Sequence, residues 1–580
     1  MRQSRTVLAF TAATALAIAS LFFGMTAVAV PQPLLDPANG HPHFDNGKAI
    51  SHPSAGAEVA FDEMRAEAAD VQSSVGSDTP PDASASSLGC ANRGSANNPR
   101  TNRDCTLRRQ AEEQVAVNPT DAKNIIVGQN DSRVGFNHCG FDYSLDGGVT
   151  WGDGQPPFFQ HLSPIGHTYD AASDPAVTFD GTGRAWYSCV VFDVNSNASG
   201  LFVVPSTSAL KGSAYANVGA GPSPFVVGTE DASGAHFFDK EFIAADMRAG
   251  HTEVYVTWTD FRADPRCKRS FNRGGFCEAP IMLSKWIASP APAHWTTPLE
   301  ISGRSSLCTL GDSFNPQIPA DSCNIDQGSM PVVLADGSVY VVFNNFNTPT
   351  LVNQQLGVHV SADLQTVSAP VKVGVDDETF AALCNFGRGP EQCVESLNVR
   401  SQDFPAIAVD PGNSQHLAAV WNDTRGLSAS NKGAYNVIVS ESFNGGTSWS
   451  DANGGGIKLT PTGAYFQPSV AITTTGKVVV STYRANTARH TTTVGDGTFG
   501  YGFLVKPSGG SFGSYQPASD SQTNPSPQAN AAQRGFLGDY SSIAAGPGGV
   551  VYMVWSDTRN TSGSNPPIPD EDIFIFKTAP

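Results

Sequence analysis

Residues 402–425 read QDFPAIAVDPGNSQHLAAVWNDTR. The apolar run 406–409 and the β-forming run 416–421 flank Asp410, Pro411 and Gly412, which favour a tight turn. The stretch therefore predicts a β-hairpin. One hairpin cannot bury its own apolar face, so we expect the pattern to recur along the chain, with the copies stacked together.

The pattern does recur. Three copies share a second strand that ends in W-x-D-x-R, at residues 258–262, 421–425 and 555–559, and a fourth at 125–133 lacks only the tryptophan. Three weaker copies lie at 174–192, 330–343 and 467–484. The sequence therefore predicts seven hairpin units between residue 111 and the C-terminus.

A second motif follows the third strand of two units. Residues 144–151 and 442–449 both fit S-x-D/N-G-G-x-T/S-W. In such a turn the Asp or Asn side chain accepts hydrogen bonds from backbone amides, the glycines allow positive φ, and the Trp packs between sheets. This form closely resembles the Asp-box, or BNR, repeat of the sialidase-like β-propeller superfamily, and the resemblance covers about residues 111–580.

The fold class that we predict is all-β, a β-propeller over residues 111–580. Seven blades are preferred, and six is the alternative if the weakest unit, at 330–343, is an insertion. The last unit has only three evident strands, the third at 573–576. We expect a strand N-terminal to the first unit to complete that sheet and close the ring, because an open sheet edge is a liability.

The N-terminus has the features of a secretory signal peptide. Arg2 and Arg5 precede an apolar stretch at 7–25, and 27–29 is an A-x-A cleavage signal. We predict a signal peptide over 1–29 and a mostly irregular, Pro/Ser/Ala-rich leader over 30–110, with a short helical candidate at 58–71. An uncleaved anchor is the alternative, because the apolar run nearly reaches spanning length. No later segment does, so we expect the mature chain to be extracellular and outside the membrane.

Cysteine count and charge agree with export. Ten cysteines without a C-x-x-C pair favour disulfides over metal ligation. We predict four local pairs and one pair by elimination: Cys90–Cys105, Cys267–Cys277, Cys308–Cys323, Cys384–Cys393 and, last, Cys139–Cys189. The formal charge of −18 argues against nucleic acid as a partner. We expect a monomer whose partner is a carbohydrate or glycoconjugate.

The resemblance implies an active site only in part. Sialidases of this superfamily bind the sialic acid carboxylate with three arginines, the first commonly in Arg-Ile-Pro, and use a Tyr with a Glu partner as nucleophile and an Asp as acid/base. No Arg-Ile-Pro occurs here, and the fitting position reads Asp131-Ser132-Arg133-Val134. True sialidases are also six-bladed, which is a second departure.

Antiparallel geometry still predicts where a site would lie. The start of the first strand and the end of the second strand share one end of each sheet, which we call the strand-end face. From it we predict catalytic acids at Asp239, Glu241, Asp403 and Asp539, and substrate-binding residues at Arg133, Arg262, Arg425, Arg559 and Tyr540. Asp239 and Glu241 alternate with Lys240, so we expect both to point the same way. Tyr169, Tyr465 and Tyr483 share this face, so a tyrosine is an alternative nucleophile.

Each set of residues has a structural interpretation as well. The W-x-D-x-R residues can simply fix the loop after strand two, and we favour that reading because every unit repeats it. Several acids near one mouth repel each other, so some must have raised pKa values, pair with arginine or bind a cation. We expect no required cofactor; a structural calcium ion is compatible with the pattern, and its ligands are unknown.

Two functions remain open, with the first slightly favoured. One is a secreted glycan-acting hydrolase with a sialidase-like propeller, cleaving glycosidic bonds at the axial mouth. The other is a non-catalytic propeller that binds glycan or protein there. A pocket with two carboxylates about 5–10 Å apart favours hydrolysis, and a plugged mouth favours binding.

Overall fold

A computed structural model describes residues 94–580 except 105, 107, 136, 195–197, 264–275, 314, 386–389, 461–463, 487–496, 526–535 and 562–568. In these described residues the regular structure is β, apart from short 3₁₀ turns at Phe158–Gln160, Ala429–Asn431 and Pro547–Gly549. The expected scarcity of helix is confirmed for this part of the chain. The signal peptide and the helical candidate at 58–71 lie outside it. No described helix is long and apolar enough to cross a membrane.

The first three antiparallel sheets, A to C, contain the first three predicted hairpins. Sheet A is β1 (Gln110–Val117), β2 (Ile125–Asp131), β3 (His138–Ser144) and β4 (Gly152–Gly154). Sheet B is β5 (Ala171–Phe179), β6 (Ala185–Phe192) and β7 (Ser199–Pro205). Sheet C is β8 (His236–Ala245), β9 (Val254–Ala263), β10 (Phe276–Glu278), β11 (Ile281–Ile287), β12 (His294–Trp295) and β13 (Leu299–Glu300).

Four further sheets, D to G, contain the remaining hairpins. Sheet D is β14 (Asp326–Val333), β15 (Val339–Asn345), β16 (Val352–Val360) and β17 (Val371–Asp377). After a small sheet of β18 (Ala382–Asn385), β19 (Pro390–Val394) and β20 (Val399–Arg400), sheet E is β21 (Ala406–Asp410), β22 (Asn413–Asp423), β23 (Asn436–Ser442) and β24 (Ile457–Lys458). Sheet F is β25 (Tyr465–Ile472), β26 (Val478–Ala485), β27 (Phe499–Lys506) and β28 (Gln516–Pro517), and sheet G is β29 (Ser542–Ala545), β30 (Val551–Thr561) and β31 (Pro569–Thr578).

The core is divided among the contacts between neighbouring sheets. Each sheet packs apolar side chains against the next, as Trp186 of sheet B does against Trp286 of sheet C. Sheet G, the last in sequence, packs against sheet A, the first: Val554 and Ile573 share a buried cluster with Val115 and Val127. Burial that one hairpin cannot achieve alone is thus obtained from its neighbours.

Both S-x-D/N-G-G-x-T/S-W stretches form the expected turn. Asp146 Oδ1 accepts a hydrogen bond from the backbone amide of Thr150 at 2.9 Å, and Asn444 Oδ1 accepts one from that of Ser448 at 3.0 Å. The glycine pairs that follow have positive φ. Trp151 packs between sheets A and G, and Trp449 packs on Tyr340 between sheets D and E. These residues act structurally.

The residues just before sheet A lie along β31, the last strand of sheet G. Arg100 forms a β-bridge with Phe574 of β31. Its neighbours add two backbone bonds, from Thr101 N to Ile573 O at 2.9 Å and from Ile575 N to Pro99 O at 3.2 Å. The free edge of β31 is therefore paired at this point.

Three predicted disulfides are present: Cys139–Cys189, Cys308–Cys323 and Cys384–Cys393. The pairing of Cys139 with Cys189, predicted by elimination, is confirmed. Cys277 is also disulfide-bonded. Its predicted partner Cys267, together with Cys90 and Cys105, lies outside the described residues.

The sequence analysis missed the small sheet of β18 to β20. It is inserted between the last strand of sheet D and the first strand of sheet E. Its residues Val394, Leu397 and Val399 join the apolar cluster between sheets F and G. The insertion therefore reaches across the strand-end face from sheet D to sheets F and G.

Removing the Cys308–Cys323 disulfide should lower stability without unfolding the sheets. The two cysteines are 15 residues apart, and a loop of that size stabilises by about 3 kcal/mol in the chain-entropy model. We expect the double Cys-to-Ala variant to show a lower melting temperature and an unchanged far-ultraviolet circular dichroism spectrum at 20 °C. Loss of the β spectrum in this variant would contradict the division of the core among many sheets.

Candidate functional site

The first strands of five sheets carry a β-bulge with a left-handed residue. The five residues are Glu112, Asp174, Lys240, Gly328 and Gln467, with φ of 56°, 58°, 53°, 67° and 47°. Each lies where the register of its strand shifts against the second strand. A bulge re-aims a side chain and breaks strict alternation. Only one of the five is glycine, for which positive φ carries no steric cost.

Three of these bulges bring opposite charges together. Lys240 Nζ of sheet C lies 3.3 Å from Glu112 of sheet A, 3.4 Å from Asp174 of sheet B and 2.8 Å from Asp539 beside sheet G. All four side chains are fully buried. Burial alone would lower the pKa of Lys240, but the surrounding carboxylates raise it. We call this group the Lys240 cluster.

The insertion sheet adds a second cation to the cluster. Arg400 Nε of β20 lies 3.2 Å from Asp539 Oδ1 and 3.4 Å from Glu391 of β19, and all three side chains are buried. Asp539 is therefore shared between Lys240 and Arg400. Each charge in the cluster has an opposite charge close by, as burial requires.

A cavity beside the cluster is too small for a sugar. It measures ≈ 20 Å³ and is lined by Phe242, Met330, Phe404, Asp539 and Tyr540, among others. Such a volume holds about one water molecule. The Lys240 ammonium also lies 4.9 Å from the centre of the Tyr540 ring and 5.3 Å from that of Phe404. Side chains thus fill the space where the sequence predicts a mouth.

Asp239 and Glu241 flank Lys240, and the predicted alternation does not hold there. The β8 register shifts between Asp239 and Phe242 because Lys240 forms the bulge. Asp239 accepts a hydrogen bond from Gln327 Nε2 at 3.1 Å. Burial raises the pKa of Glu241, and the charges of Asp174 and Asp239 raise it further. Both carboxyl groups are completely buried.

Asp403 lies in a different group of acids. Its pKa is raised by burial, then by Asp376, Glu378 and Asp423. Asp376 lies in β17, the last strand of sheet D, and Glu378 follows that strand, whereas Asp403 precedes sheet E. The structure therefore brings Asp239 and Asp539 to Lys240, leaves Glu241 beside Asp174 and Asp239, and places Asp403 with separate partners.

The predicted substrate-binding arginines form one repeated contact. Each binds the Asp two residues before it and a second acid, at these N–O distances: Arg133 with Asp131 (2.6 Å) and Asp153 (2.7 Å), Arg262 with Asp260 (2.8 Å) and Glu300 (2.8 Å), Arg425 with Asp423 (2.5 Å) and Asp451 (2.7 Å), and Arg559 with Asp557 (2.6 Å) and Asp520 (2.7 Å). Their side chains are 10–25% exposed. Arg133, Arg262 and Arg425 each clamp their second strand to a later part of the same sheet, whereas Arg559 of sheet G reaches an acid that follows sheet F.

The predicted tyrosines have different environments. Tyr483 is fully buried, whereas Tyr540 is partly buried against Phe242. Tyr465 lies under Arg484, whose guanidinium carbon is 5.8 Å from the ring centre. Tyr169 is half-buried and donates a hydrogen bond to Glu230 at 2.7 Å.

Sequence reasoning missed the partners of Tyr169. Glu230 also lies 3.0 Å from Nε2 of His161. Glu230 follows no motif and is far from Tyr169 in sequence, so no spacing signal pointed to it. The Tyr169–Glu230 pair lies at the strand-end face of sheet B, near the partly exposed His236 and Arg262 of sheet C. Both residues of this pair are partly exposed.

Comparison with known proteins gives structural likenesses at low sequence identity. No protein-family model matches the sequence, and no curated protein is similar to it. A Trypanosoma rangeli sialidase is 10% identical, with a TM-score of 0.33, over 81% of this chain and 54% of that one. The chain thus spans about half the length of that sialidase.

Two further solved structures show similar values. The Hadza microbial sialidase Hz136 is 10% identical, with a TM-score of 0.37, over 79% of this chain and 73% of that one. An α-L-arabinofuranosidase of Fusarium graminearum is 9% identical, with a TM-score of 0.40, over 69% of this chain and 91% of that one.

Replacing Lys240 by methionine should destabilise the protein strongly. The change leaves three buried carboxylates without their shared cation, and breaking a buried ion pair on one side typically costs about 3–5 kcal/mol. Urea unfolding at pH 7 measures the loss. Lys211→Met is the control, because Lys211 pairs with Asp121 at the surface, where such a pair contributes about 0–1 kcal/mol. Equal losses in the two variants would show that the Lys240 cluster is not a structural centre.

Glu113, next to the cluster, should make stability depend on pH. Burial raises its pKa from 4.5 to about 8, although Ser556 donates a hydrogen bond to it at 2.8 Å. The folded protein therefore keeps a proton that the unfolded chain releases, so this residue lowers stability as pH rises from 4.5 towards 8. Glu113→Gln should gain about 2–4 kcal/mol over wild type at pH 8 and little at pH 4.

Denaturant titrations of both proteins across this pH range measure the effect. Asp121→Asn is the control, because its hydrogen bond with Lys211 lowers the pKa of Asp121, which gives the opposite sign. A pH-independent difference between Glu113→Gln and wild type would refute the assignment.

Proposed function

We propose that the chain is an exported, seven-bladed β-propeller whose ring is closed by the residues before sheet A. The packing of sheet G on sheet A supports a ring, and the pairing of Arg100 with Phe574 supports closure by an N-terminal segment. The Lys240 cluster supports both, because it joins sheets A, B and C to the residues before sheet G.

Within this fold we propose a non-catalytic function, the binding of carbohydrate or glycoconjugate at the strand-end face. The observation that carries it is the plugged centre: Asp239 and Asp539 are buried around Lys240, and Glu241 is buried next to them. A general acid or nucleophile must contact its substrate, and these carboxyl groups contact protein. Their charges serve the closure of the ring.

The binding surface that we propose lies at the strand-end face of sheets B and C. Tyr169, Asp170, His236 and Arg262 are partly exposed there. Aromatic and charged side chains of this kind offer an apolar ring face together with hydrogen-bonding groups, which suits a polar ligand such as a sugar.

A glycoside hydrolase is the second candidate, and the Tyr169–Glu230 pair favours it. A tyrosine that donates a hydrogen bond to a carboxylate at 2.7 Å has the geometry of a nucleophile with its base. The sialidase-like superfamily uses that combination. Hydrolysis by Asp239, Glu241, Asp403 and Asp539 stays a prediction, and it requires the buried acids to become accessible.

Two measurements on the purified wild-type protein separate the candidates. We expect binding to members of an array of sialylated and neutral glycans, and no release of chromophore from aryl sialosides or other aryl glycosides. His236→Ala and Arg262→Ala should each weaken glycan binding at least about tenfold, the effect of about 1.4 kcal/mol. The control is Phe443→Ala, because Phe443 is 66% exposed in the turn at the opposite end of sheet E.

Turnover of an aryl glycoside would overturn the non-catalytic proposal. Loss of that turnover in Tyr169→Phe, with retention in Tyr215→Phe, would assign the reaction to the Tyr169–Glu230 pair, since Tyr215 is a buried tyrosine of the same region. Absence of both turnover and glycan binding would refute carbohydrate as the ligand class.

A further inference from the structure

Sheet F lacks the Asp–Arg contact that the W-x-D-x-R units form. Its second strand, β26, ends in Thr-Tyr-Arg-Ala at 482–485. Arg484 pairs there with Tyr465, two residues before the bulge at Gln467. In sheets A and C the same register position is taken by Asp131 and Asp260. An arginine therefore stands where the other sheets have the acid of this contact.

The other members of the contact are also replaced in sheet F. The position two residues after Arg484, where the other units have their arginine, is Asn486. Asp520, the acid that follows β28, is bound to Arg559 of sheet G at 2.7 Å. Arg484 makes no ion pair or hydrogen bond with any residue that the structure describes. The arginines of sheets A, C, E and G are bound to two acids each, whereas the donors of Arg484 are not used by an acid in the described part of the chain.

Two tyrosine rings hold the guanidinium group of Arg484. Its central carbon lies 5.8 Å from the ring centre of Tyr465 and 5.4 Å from that of Tyr515. The two rings meet edge to face, with their centres 5.5 Å apart. A guanidinium that stacks on aromatic rings uses its flat face, so the N–H donors at its edges stay available. The tyrosines therefore orient Arg484 without using its hydrogen-bonding capacity.

A glycine of β27 makes room for one of these rings. Gly502 lies between Thr482 of β26 and Pro517 of β28 in the sheet register. A Cβ atom at Gly502 would overlap the ring of Tyr515, so the ring can lie directly on the strand only because this residue has no side chain. Tyr465 and Tyr515 are partly exposed and Arg484 is exposed. We call these three residues the Arg484 platform.

We propose that the Arg484 platform binds a carboxylate-bearing sugar residue, a hexuronate, within an acidic polysaccharide at the strand-end face of sheet F. The planar fork of arginine donors matches a carboxylate, which it can bind with two parallel hydrogen bonds. The partly exposed tyrosine rings offer an apolar surface to the C–H face of the sugar. The inference rests on the proposed function, because it assigns a charge to the carbohydrate that the strand-end face binds.

The platform differs from the three-arginine pocket of sialidases. Arg425 and Arg559 of the neighbouring sheets E and G are each bound to two acids, so Arg484 would contact the carboxylate alone. A single arginine suits a polymer that repeats one carboxylate in every sugar, because each linked contact after the first forms at a high effective concentration. The polysaccharide would then extend from sheet F to further contacts on the same face.

The test compares two ligands that differ only in charge, a galacturonic acid hexamer and its methyl ester. We expect titration calorimetry on the purified full chain at pH 7 and low salt to give binding of the acid at least about tenfold tighter than that of the ester, the effect of one charge-assisted hydrogen-bond pair. The preference should shrink at high salt, because ions screen exposed charges.

Variants of the platform locate the site. Arg484→Ala should remove the preference, so that acid and ester bind alike, and Arg484→Lys should restore only part of it, because an ammonium group lacks the planar fork. Tyr515→Ala should weaken binding of both ligands, because both stack on the ring. The matched control is Arg304→Ala: Arg304 is 62% exposed but bound to Asp321 at 2.6 Å, and its loss should leave the preference unchanged. Melting temperatures show that each variant is folded.

The possible failures are distinguishable. Equal binding of acid and ester by the wild type, or no binding of the acid while neutral glycans still bind, would overturn the hexuronate site and leave the proposed function standing. A preference that survives Arg484→Ala would overturn the location. Tighter Arg484-dependent binding of a sulfated galactan or of poly-glutamate would overturn the carboxylate sugar in favour of a sulfate ester or an acidic peptide. Absence of all glycan binding would refute the proposed function as well.

Discussion

The buried ammonium of Lys240 is the interaction on which the centre of the molecule depends. It meets carboxylates from sheet A, sheet B and the segment before sheet G at 2.8–3.4 Å. Removing four charged groups from water is costly, and only close pairing offsets that cost. The arrangement is therefore stable only when all these elements are in place together, so the cluster reports correct assembly of the first and last units.

Left-handed bulges make this pairing geometrically feasible. In a regular strand, Glu112, Asp174 and Lys240 would follow the alternation of their neighbours. The bulge turns each of them out of that pattern at the same position of its first strand. A non-glycine residue in this conformation is uncommon and persists only where its surroundings enforce it. Here the enforcing contacts are the ion pairs themselves.

The sequence was sufficient for the repeated part of the fold. All seven predicted hairpins form antiparallel strand pairs, because alternating apolar runs around Asp-Pro-Gly or similar turns have few alternatives. The interpretation of W-x-D-x-R as a loop-fixing contact agrees with the paired arginines, each of which binds a second acid besides the Asp of its own motif.

The site could be predicted only in part, for physical reasons. Strand-start reasoning grouped Asp239 with Asp539, and the structure brings both to Lys240. Period-two reasoning assumed a regular strand at Lys240, where the bulge changes the side-chain directions. Nothing in residues 378–405 shows periodicity, so the insertion sheet that adds Arg400 was missed. Glu230 binds partners that are distant in sequence, which no local pattern records.

Repetition and function place opposite demands on a residue. A side chain that every unit needs, such as the arginine of W-x-D-x-R, is already committed to two acids in its own sheet. Residues that occur once are free of that demand: Lys240, Arg400 and the Tyr169–Glu230 pair each break the repeat. Of these, Lys240 and Arg400 share Asp539 in the interior, whereas the Tyr169–Glu230 pair is partly exposed. The specific chemistry of this protein is therefore to be sought where its sheets differ, at the strand-end face of sheets B and C.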